Sequence, residues 1–185
     1  MAVLTIPDEG ITLINPTEIK QFLNDKGVFF DQWSCSVEFS DSASSDEILA
    51  AYDIQLKPFM EAGGYQTADV ISINQLTENY DAIRAKFLAE HTHSEDEVRF
   101  ILKGKGLFHI HPTTGPIFAI QVEAGDLINV PRGTKHWFGL CEDRTIRAIR
   151  LFQDKSGWTP QYIDSGIHGN YAPLCWGPTY LTGEG

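Results

Sequence analysis

Three histidines and one glutamate stand at spacings that constrain how this chain can fold. His91 and His93 are two residues apart, so on a β-strand both side chains leave the same face. The polar run SEDE can turn the chain, and the strand-like run VRFIL then carries Glu97 back beside the two histidines. His136 follows a Pro-x-Gly turn at 131–133 that directs the next strand toward the same point. This convergence predicts a site for one transition-metal ion, with iron, nickel, copper and zinc as candidates.

The full spacing is more specific than a lone His-x-His pair, which a solvent-exposed strand can carry by chance. The first segment reads His-x-His-x3-Glu-x6-Gly and ends at Gly104, and the second reads Gly-x5-Pro-x-Gly-x2-His and begins at Gly125. This pair of motifs resembles the two motifs of the cupin superfamily, which implies a small double-sheet β-barrel, or jelly roll, with the metal inside. Ala85 and Leu140 depart from the glycine and asparagine that are usual at those positions, but neither position is a metal ligand.

Longer stretches of the sequence indicate one family within that superfamily. The segments EHTHSEDEVRF, AGDLINVPRGTKHWF and RAIRLFQDKSGWTP resemble the acireductone dioxygenase family, closely in the second half of the chain and loosely before it. The resemblance implies one Fe²⁺ or Ni²⁺ ion per chain, bound by the four residues above. It also implies a reaction in methionine salvage between O2 and the anionic enediol 1,2-dihydroxy-3-keto-5-methylthiopentene.

The same resemblance implies that the metal selects the products. The iron form of the family yields formate and 4-methylthio-2-oxobutanoate, whereas the nickel form yields formate, carbon monoxide and 3-methylthiopropanoate. The sequence leaves the choice between the two metals open, because both use the same four ligands. The family resemblance also implies a monomer.

Strand parity predicts that Arg99 also faces the metal. It lies two residues after Glu97, so the two side chains leave the same face of the strand. An arginine beside a metal dication and one carboxylate gives a pocket with net positive charge, which suits an anionic enediol. We therefore assign Arg99 a catalytic and substrate-binding role. The alternative is a surface arginine that pairs with Glu95 or Asp96.

Two phenylalanines and a second arginine complete the expected pocket. Phe138 shares the strand face of His136, and an early start of the first motif strand would align Phe87 behind His91. Both rings would then bound an apolar side on which a methylthio tail can rest. Arg150 is a further substrate-binding candidate, because the family has a basic residue at the matching place.

Charge and cysteine content restrict the partners. The chain of 185 residues has a formal net charge of −11 at pH 7, which argues against nucleic acid or an anionic membrane as a partner. We see no signal peptide and no run of the roughly 20 apolar residues that a membrane span requires. Cys35, Cys141 and Cys175 are odd in number and widely spaced, which favours reduced cysteines in a cytoplasmic protein.

Residues 1–86 predict a hairpin and helices that pack outside the barrel. The runs VLTI and ITLI flank a Pro-Asp-Glu-Gly turn and form the hairpin. Asn15 as N-cap and Pro16 at the first helical position begin a helix, and Gly27 ends it. The aromatic pair at 29–30 is expected to pack that helix against the barrel.

Two further helices are expected before the barrel begins. Ser44 stands at the start of one, and Pro58 should kink this helix or end its regular part. After the strand VISI, residues 80–88 form another short helix that runs into the metal-binding strand.

The rest of the chain predicts a β-barrel and an irregular tail. Between residues 87 and 153, the runs VRFIL, GLFHIH, PIFAIQV, DLINV, HWFGL and TIRAIRLF read as short strands separated by glycine and charged turns. Residues 154–185 are rich in glycine, proline and aromatic residues, which favours a packed tail over a lid across the barrel mouth. The prediction is a mainly β chain with accessory helices, folded as a single cupin-type domain over residues 1–185.

The remaining histidines are interpreted as structural. His109 and His111 form another His-x-His pair, but no carboxylate follows at the motif spacing, so we expect partly exposed strand residues rather than a second metal site. His168 lies in the glycine-rich tail and is expected at the surface. Cys141 comes after the strand that carries His136 has ended, which argues against a thiolate ligand.

Two other functions are compatible with the same fold. A non-catalytic cupin that binds a small acid or sugar is disfavoured, because no basic recognition helix is visible and all four metal ligands are present. Another cupin oxygenase or decarboxylase acting on a small anionic substrate is the closer rival, since it would use the same ligands. Arg99, the run His136-Trp137-Phe138 and Trp158 favour the acireductone dioxygenase family.

Overall fold

Antiparallel strands are the main regular structure of the described chain. The structure, a computed structural model, describes residues 1–154 and 159–175, so Trp158 lies outside the described residues. In chain order the strands are β1 (Val3–Ile6), β2 (Ile11–Leu13), β3 (Phe29–Gln32), β4 (Thr67–Ile73), β5 (His91–Thr92), β6 (Glu97–His111), β7 (Phe118–Glu123), β8 (Asp126–Val130), β9 (Lys135–Leu140), β10 (Ile146–Phe152) and β11 (Gln161–Tyr162). The helices are α1 (Pro16–Asp25), α2 (Ser45–Ala51), α3 (Asp53–Gly63) and α4 (Tyr80–Leu88). None of these described helices has the length and apolarity needed to cross a lipid bilayer.

The long strand β6 joins two sheets. Its first half pairs with β8 and β10, and its second half pairs with β7 and β9, always in the antiparallel sense. One sheet has the order β11-β5-β9-β6-β7-β1-β2, and the other has the order β4-β10-β6-β8-β3. Two antiparallel sheets that share strands in this way enclose a barrel. The predicted cupin-type double-sheet barrel is therefore confirmed.

A β-bulge allows β6 to serve both sheets. The sequence predicts VRFIL and GLFHIH as two strands, but both lie in β6, so this prediction is wrong. The register between β6 and β10 shifts between Arg147 and Ala148, which is the mark of an extra residue in one strand. Gly104 has a φ of 81°, and a Cβ atom there would lie 1.9 Å from the carbonyl oxygen of Thr145. Glycine is needed at this bend because any side chain would collide with the neighbouring backbone.

The N-terminal hairpin and the first helix form as predicted. Strand β1 pairs with β2 on one side and with β7 on the other, so the hairpin extends a sheet of the barrel. The side chain of Asn15 accepts hydrogen bonds from the backbone N–H groups of Thr17 and Glu18 at the start of α1. Ile19 and Leu23 are fully buried and attach α1 to the hydrophobic core.

The segment between α1 and the metal-binding strand differs from the prediction in two details. The aromatic pair at 29–30 does pack near α1, but it lies in β3, a strand that the sequence analysis missed. The helix that begins after Ser44 ends at Tyr52, whereas Pro58 lies inside the following helix α3. The ring of Tyr52 is buried at 5.1 Å from that of Phe100, so packing against the barrel accompanies the break.

The described part of the C-terminal tail packs against the barrel. Strand β11 pairs with β5, which places Tyr162 opposite His91. The fully buried Glu90 reinforces this contact, because its carbonyl oxygen accepts the N–H of Ile163 and its carboxylate accepts the hydroxyl of Ser165. The tail is therefore a neighbour of the strand that carries the first histidine of the motif.

Two of the three cysteines are bonded to each other. Cys141, at the end of the strand that carries His136, forms a disulfide with Cys175 in the tail, while Cys35 is free. The expectation of reduced cysteines is therefore wrong for this pair. Their 34-residue separation gave no sequence signal, because the contact depends on where the tail returns to the barrel.

Candidate metal centre

Four side chains from three segments meet inside the barrel. His91 on β5 is paired with His136 on β9, His93 follows directly after β5, and Glu97 begins β6. One nitrogen or oxygen atom from each residue lies within 4.8 Å of the others, and all four residues are buried. The ligand set that the spacing predicts is thus brought together at one point.

The distances within this cluster suit ligands of a single ion. Oε2 of Glu97 lies 2.8 Å from Nε2 of His136 and 3.1 Å from Nε2 of His93. Two ligands held about 2.1 Å from one ion and at right angles lie about 3 Å apart, and opposite ligands lie about 4.2 Å apart. A spread of 4.8 Å therefore closes around one ion with small side-chain shifts.

Backbone carbonyl groups orient two of the imidazole rings. Nδ1 of His91 lies 2.7 Å from the carbonyl oxygen of Ala89, and Nδ1 of His136 lies 2.8 Å from that of Thr134. Because a carbonyl oxygen can only accept, each Nδ1 carries the proton and each neutral ring presents the lone pair of Nε2. In neutral His136 this lone pair faces the carboxylate of Glu97, an arrangement that a cation between them stabilises.

The surroundings keep two of the ligand groups deprotonated. Burial, followed by the neighbouring His136, lowers the pKa of His91 to about 4. Burial alone would raise the pKa of Glu97, but the charge of Arg99, followed by the contacts with His136 and His93, holds that pKa well below its usual range. A neutral imidazole and a carboxylate are the forms that bind metals, and this mixed nitrogen and oxygen set fits Fe²⁺ and Ni²⁺.

Arg99 lies inside the barrel, on the same face as Glu97. Its Nη2 is 3.0 Å from Oε1 of Glu97, and the residue is only 7% exposed. Burial lowers the pKa of Arg99 to about 10 while Glu97 opposes that change, so the guanidinium is still charged at neutral pH. The position agrees with strand parity and not with a surface arginine.

A small apolar cavity opens beside Arg99. Phe87 and Phe138 both line it, with their rings edge to face and the ring centroids 6.4 Å apart. Aliphatic side chains and a third aromatic ring complete the lining: Ile71, Ile73, Ile101, Phe108, Ile146 and Ala148. Phe87 and Phe138 thus line one apolar cavity together with Arg99.

Phe108 is a pocket residue that the sequence analysis missed. Its ring centroid lies 4.6 Å from that of Phe138 and 6.5 Å from that of His136. Parity counted from Glu97 would turn Phe108 outward, but the bulge between Ile101 and Lys103 adds one residue, Leu102, and turns Phe108 inward. The sequence signal nearest to this change of face was Gly104, two residues after the extra residue.

Arg150 lies near Arg99 but is held by an acidic partner. Its Nε and Nη2 each donate a hydrogen bond of 2.7 Å to the carboxylate of Asp69. Arg150 stands directly opposite Arg99 on the neighbouring strand, at the edge of the site, and the described lining of the apolar cavity does not include it. Sequence reasoning gave no role to Asp69, because only the pairing of β4 with β10 reveals the contact.

Within the described part of the chain, the other histidines lie outside the metal cluster. His109 is buried and not partly exposed as predicted, because its ring stacks on Trp137 with the centroids 4.8 Å apart. Nδ1 of His111 lies 2.5 Å from the carboxylate of Glu90, and Nδ1 of His168 accepts the N–H of Glu90. His168, which belongs to the tail, is therefore partly buried and not a free surface residue.

The fold and the site together define a cupin-type metalloprotein with a three-histidine, one-glutamate centre. Comparison with known proteins narrows this class. The chain belongs to the ARD/ARD' family, whose model matches residues 12–160.

Individual relatives match nearly the whole chain. It is similar to an acireductone dioxygenase of Picosynechococcus sp., with 51% identity over 174 residues that cover 94% of this chain and 99% of that protein. It is also similar to an acireductone dioxygenase of Bacillus velezensis, with 39% identity over 176 residues that cover 90% and 99%. Among solved structures it resembles an acireductone dioxygenase from Bacillus anthracis with a cadmium ion in its active centre, at a TM-score of 0.83 and 35% identity over 88% of this chain and 98% of that one.

Proposed function

We propose that the chain is an acireductone dioxygenase that cleaves 1,2-dihydroxy-3-keto-5-methylthiopentene with O2. The observation that carries the proposal is a buried cluster of His91, His93, Glu97 and His136 beside a pocket that contains Arg99 and an apolar wall. The names of relatives that match over nearly their full length support the same activity.

The four clustered side chains would hold one Fe²⁺ or Ni²⁺ ion. When bound, such an ion supplies a Lewis acid that can hold the oxygens of an enediolate. The chain contributes rigidity, because carbonyl groups fix the rings of His91 and His136 and Arg99 fixes the carboxylate of Glu97. Ligands held in place before binding need little rearrangement when metal and substrate arrive.

Arg99 is the residue that we assign to the charge of the substrate. Its buried guanidinium stays protonated, and a planar group with five N–H donors can bind Glu97 and an oxyanion at the same time. Low solvent exposure strengthens such a charge-assisted contact. Arg150 is a second proposed contact, at the edge of the site beside Arg99.

The apolar cavity is proposed to receive the methylthio tail. Phe87, Phe138 and Phe108 line this cavity with aromatic surface, which would keep water away from the enediol. Burying apolar groups contributes roughly 0.8 kcal/mol for each CH2 group, so the tail adds binding free energy that a small polar competitor lacks.

The proposal extends to the cellular setting that the family implies. We propose a cytoplasmic monomer that acts in methionine salvage. We also propose that the metal loaded determines the products, formate and 4-methylthio-2-oxobutanoate with iron, or formate, carbon monoxide and 3-methylthiopropanoate with nickel.

The test is an aerobic reaction of the acireductone with protein loaded separately with Fe²⁺ and with Ni²⁺, followed by product analysis. The two product sets above are expected, and carbon monoxide should form only with nickel. Identical products from both forms would contradict the proposed metal dependence. No product from either metal-loaded form would assign the chain to another cupin oxygenase or decarboxylase, or to a metal-binding cupin without catalysis.

A further inference from the structure

The wall of the apolar cavity is built in rows across three neighbouring strands. Residues that are paired in register on β6, β10 and β4 face the same side of the sheet. The row nearest the metal ligand Glu97 is polar and consists of Arg99, Arg150 and Asp69. The next row, two residues along each strand and about 7 Å deeper, is apolar and consists of Ile101, Ala148 and Ile71.

Ala148 is the small member of the apolar row. It lies between Ile101 and Ile71, is 1% exposed and lines the cavity. An isoleucine or valine at the central position would project extra methyl groups into the cavity between the two neighbouring side chains. The cavity therefore owes much of its depth at this row to the absence of a larger side chain on β10.

The next row closes the cavity. Ile146 is paired with Ile73, and both residues line the cavity. The tip of the Phe138 ring rests against the backbone of Gly106, where an added Cβ would lie 2.1 Å from the ring and 3.3 Å from Cδ1 of Ile146. Ile146 and the ring of Phe138 thus meet at the closed end, two rows below Arg99.

We propose that Ala148 and Ile146 determine the length of the apolar tail that the enzyme accepts. The inference rests on the proposed function, because it takes the enediol to lie beside Arg99 and its tail to enter the cavity. The tail of the acireductone has four non-hydrogen atoms beyond the keto carbon, two CH2 groups, a sulfur and a methyl group. An extended tail of this length reaches from the row of Arg99 to the row of Ala148, and Ile146 blocks much longer ones.

The experiment compares three acireductones that differ only in the tail: methyl, methylthioethyl and butylthioethyl. Steady-state kcat/KM is measured for the wild type, Ala148→Val and Ile146→Ala, all loaded with the same metal. Ala148→Val should lower kcat/KM at least tenfold for the methylthioethyl substrate and less than threefold for the methyl substrate. Ile146→Ala should raise kcat/KM for the butylthioethyl substrate at least fivefold relative to the methylthioethyl substrate. Anaerobic binding of the same three compounds should show the same order.

Ala119→Val is the matched control, because Ala119 is a fully buried alanine outside the described lining of the cavity. It should not change the preference for tail length. Equal changes for all three tails in both cavity variants would overturn the inference, and so would the same preference in the control. If Ala148→Val does not fold, the shift in Ile146→Ala alone decides the question. A wild type that neither binds nor converts any acireductone would instead overturn the proposed function itself.

Discussion

Arg99 and Arg150 stand directly opposite each other on β6 and β10, so two guanidinium groups share one face of the sheet. Like charges in this arrangement destabilise a sheet. Asp69, on the far side of Arg150, accepts two hydrogen bonds from it and offsets its charge. Arg99 is left paired with the metal ligand Glu97, as the cation that lines the apolar cavity.

Asp69→Asn should therefore destabilise the protein through Arg150. The variant loses a two-point, charge-assisted contact and leaves two arginines facing each other, which should cost about 1–3 kcal/mol in the free energy of unfolding. The measurement is urea unfolding of Asp69→Asn, Arg150→Met and the double variant. The double variant should be less destabilised than the sum of the two single changes by at least about 1 kcal/mol. Additive effects would show that the pair is not coupled.

Arg99→Met should lower kcat/KM by roughly ten- to a hundredfold, which corresponds to the loss of a charge-assisted hydrogen bond of about 1.5–3 kcal/mol. The thioether retains much of the apolar stem, so packing changes little. Arg99→Lys is the control and should restore only part of the activity, because an ammonium group cannot bind Glu97 and substrate in the same planar way. Kinetics should be measured at saturating Fe²⁺, since Arg99 also orients a ligand. An unchanged kcat/KM in Arg99→Met would remove this residue from the substrate site.

His136→Ala should abolish tight metal binding while the barrel still folds. The change removes one of four ligands, and its effect should exceed the 10- to 100-fold loss of affinity that is typical when a residue supporting a ligand is removed. His109→Phe is the matched control, because this buried histidine lies outside the cluster and phenylalanine can keep the stacking on Trp137. Metal content after dialysis should distinguish the two variants, and circular dichroism should show that both remain folded. Full metal occupancy in His136→Ala would contradict the assigned centre.

The buried carboxyl group of Asp126 should make the free energy of unfolding depend on pH, independently of the metal ligands. Burial raises the pKa of Asp126 to about 6, although Gln32 donates a hydrogen bond to its carboxylate. The folded state thus holds this proton more tightly than the unfolded state, so the stability due to Asp126 is full below about pH 4 and is lost as pH rises through 6. Asp126→Asn should be more stable than the wild type by about 1–3 kcal/mol at pH 7.5, and this gain should shrink toward pH 4.

The measurement is urea unfolding of the wild type and Asp126→Asn between pH 4 and pH 8, with Asp164→Asn as control. Asp164 is exposed in the tail, so its replacement should leave a difference from the wild type near zero throughout. A constant difference for Asp126→Asn across the pH range would mean that burial does not perturb this carboxyl group.

Local spacing was enough to predict the metal cluster and the position of Arg99. The alternation of a β-strand acts over two residues, so His91 and His93, or Glu97 and Arg99, can be assigned to one face without knowing the rest of the fold. The start of α1 was predictable for the same reason, because the capping side chain of Asn15 acts within three residues.

Contacts between distant segments were not predictable in this way. His109 is buried because Trp137 and the returning tail cover it, and the bond between Cys141 and Cys175 depends on the path of the same tail. Phe108 was missed because one extra residue in β6 reverses which residues in the second half of the strand face the pocket. Each miss involves a partner more than 25 residues away or a change of register that a regular strand lacks.

The bulge at Leu102 decides which of two histidine pairs shares the barrel interior with Glu97. On β6, Ile110 faces inward opposite His136, and His109 and its alternate neighbour His111 face outward. Removing a single residue at the bulge would exchange the faces of the whole second half of the strand and turn the outer imidazoles toward the ligands. The selection of one set of histidines for this centre therefore depends on the length of the β6 backbone as well as on the identity of the ligands.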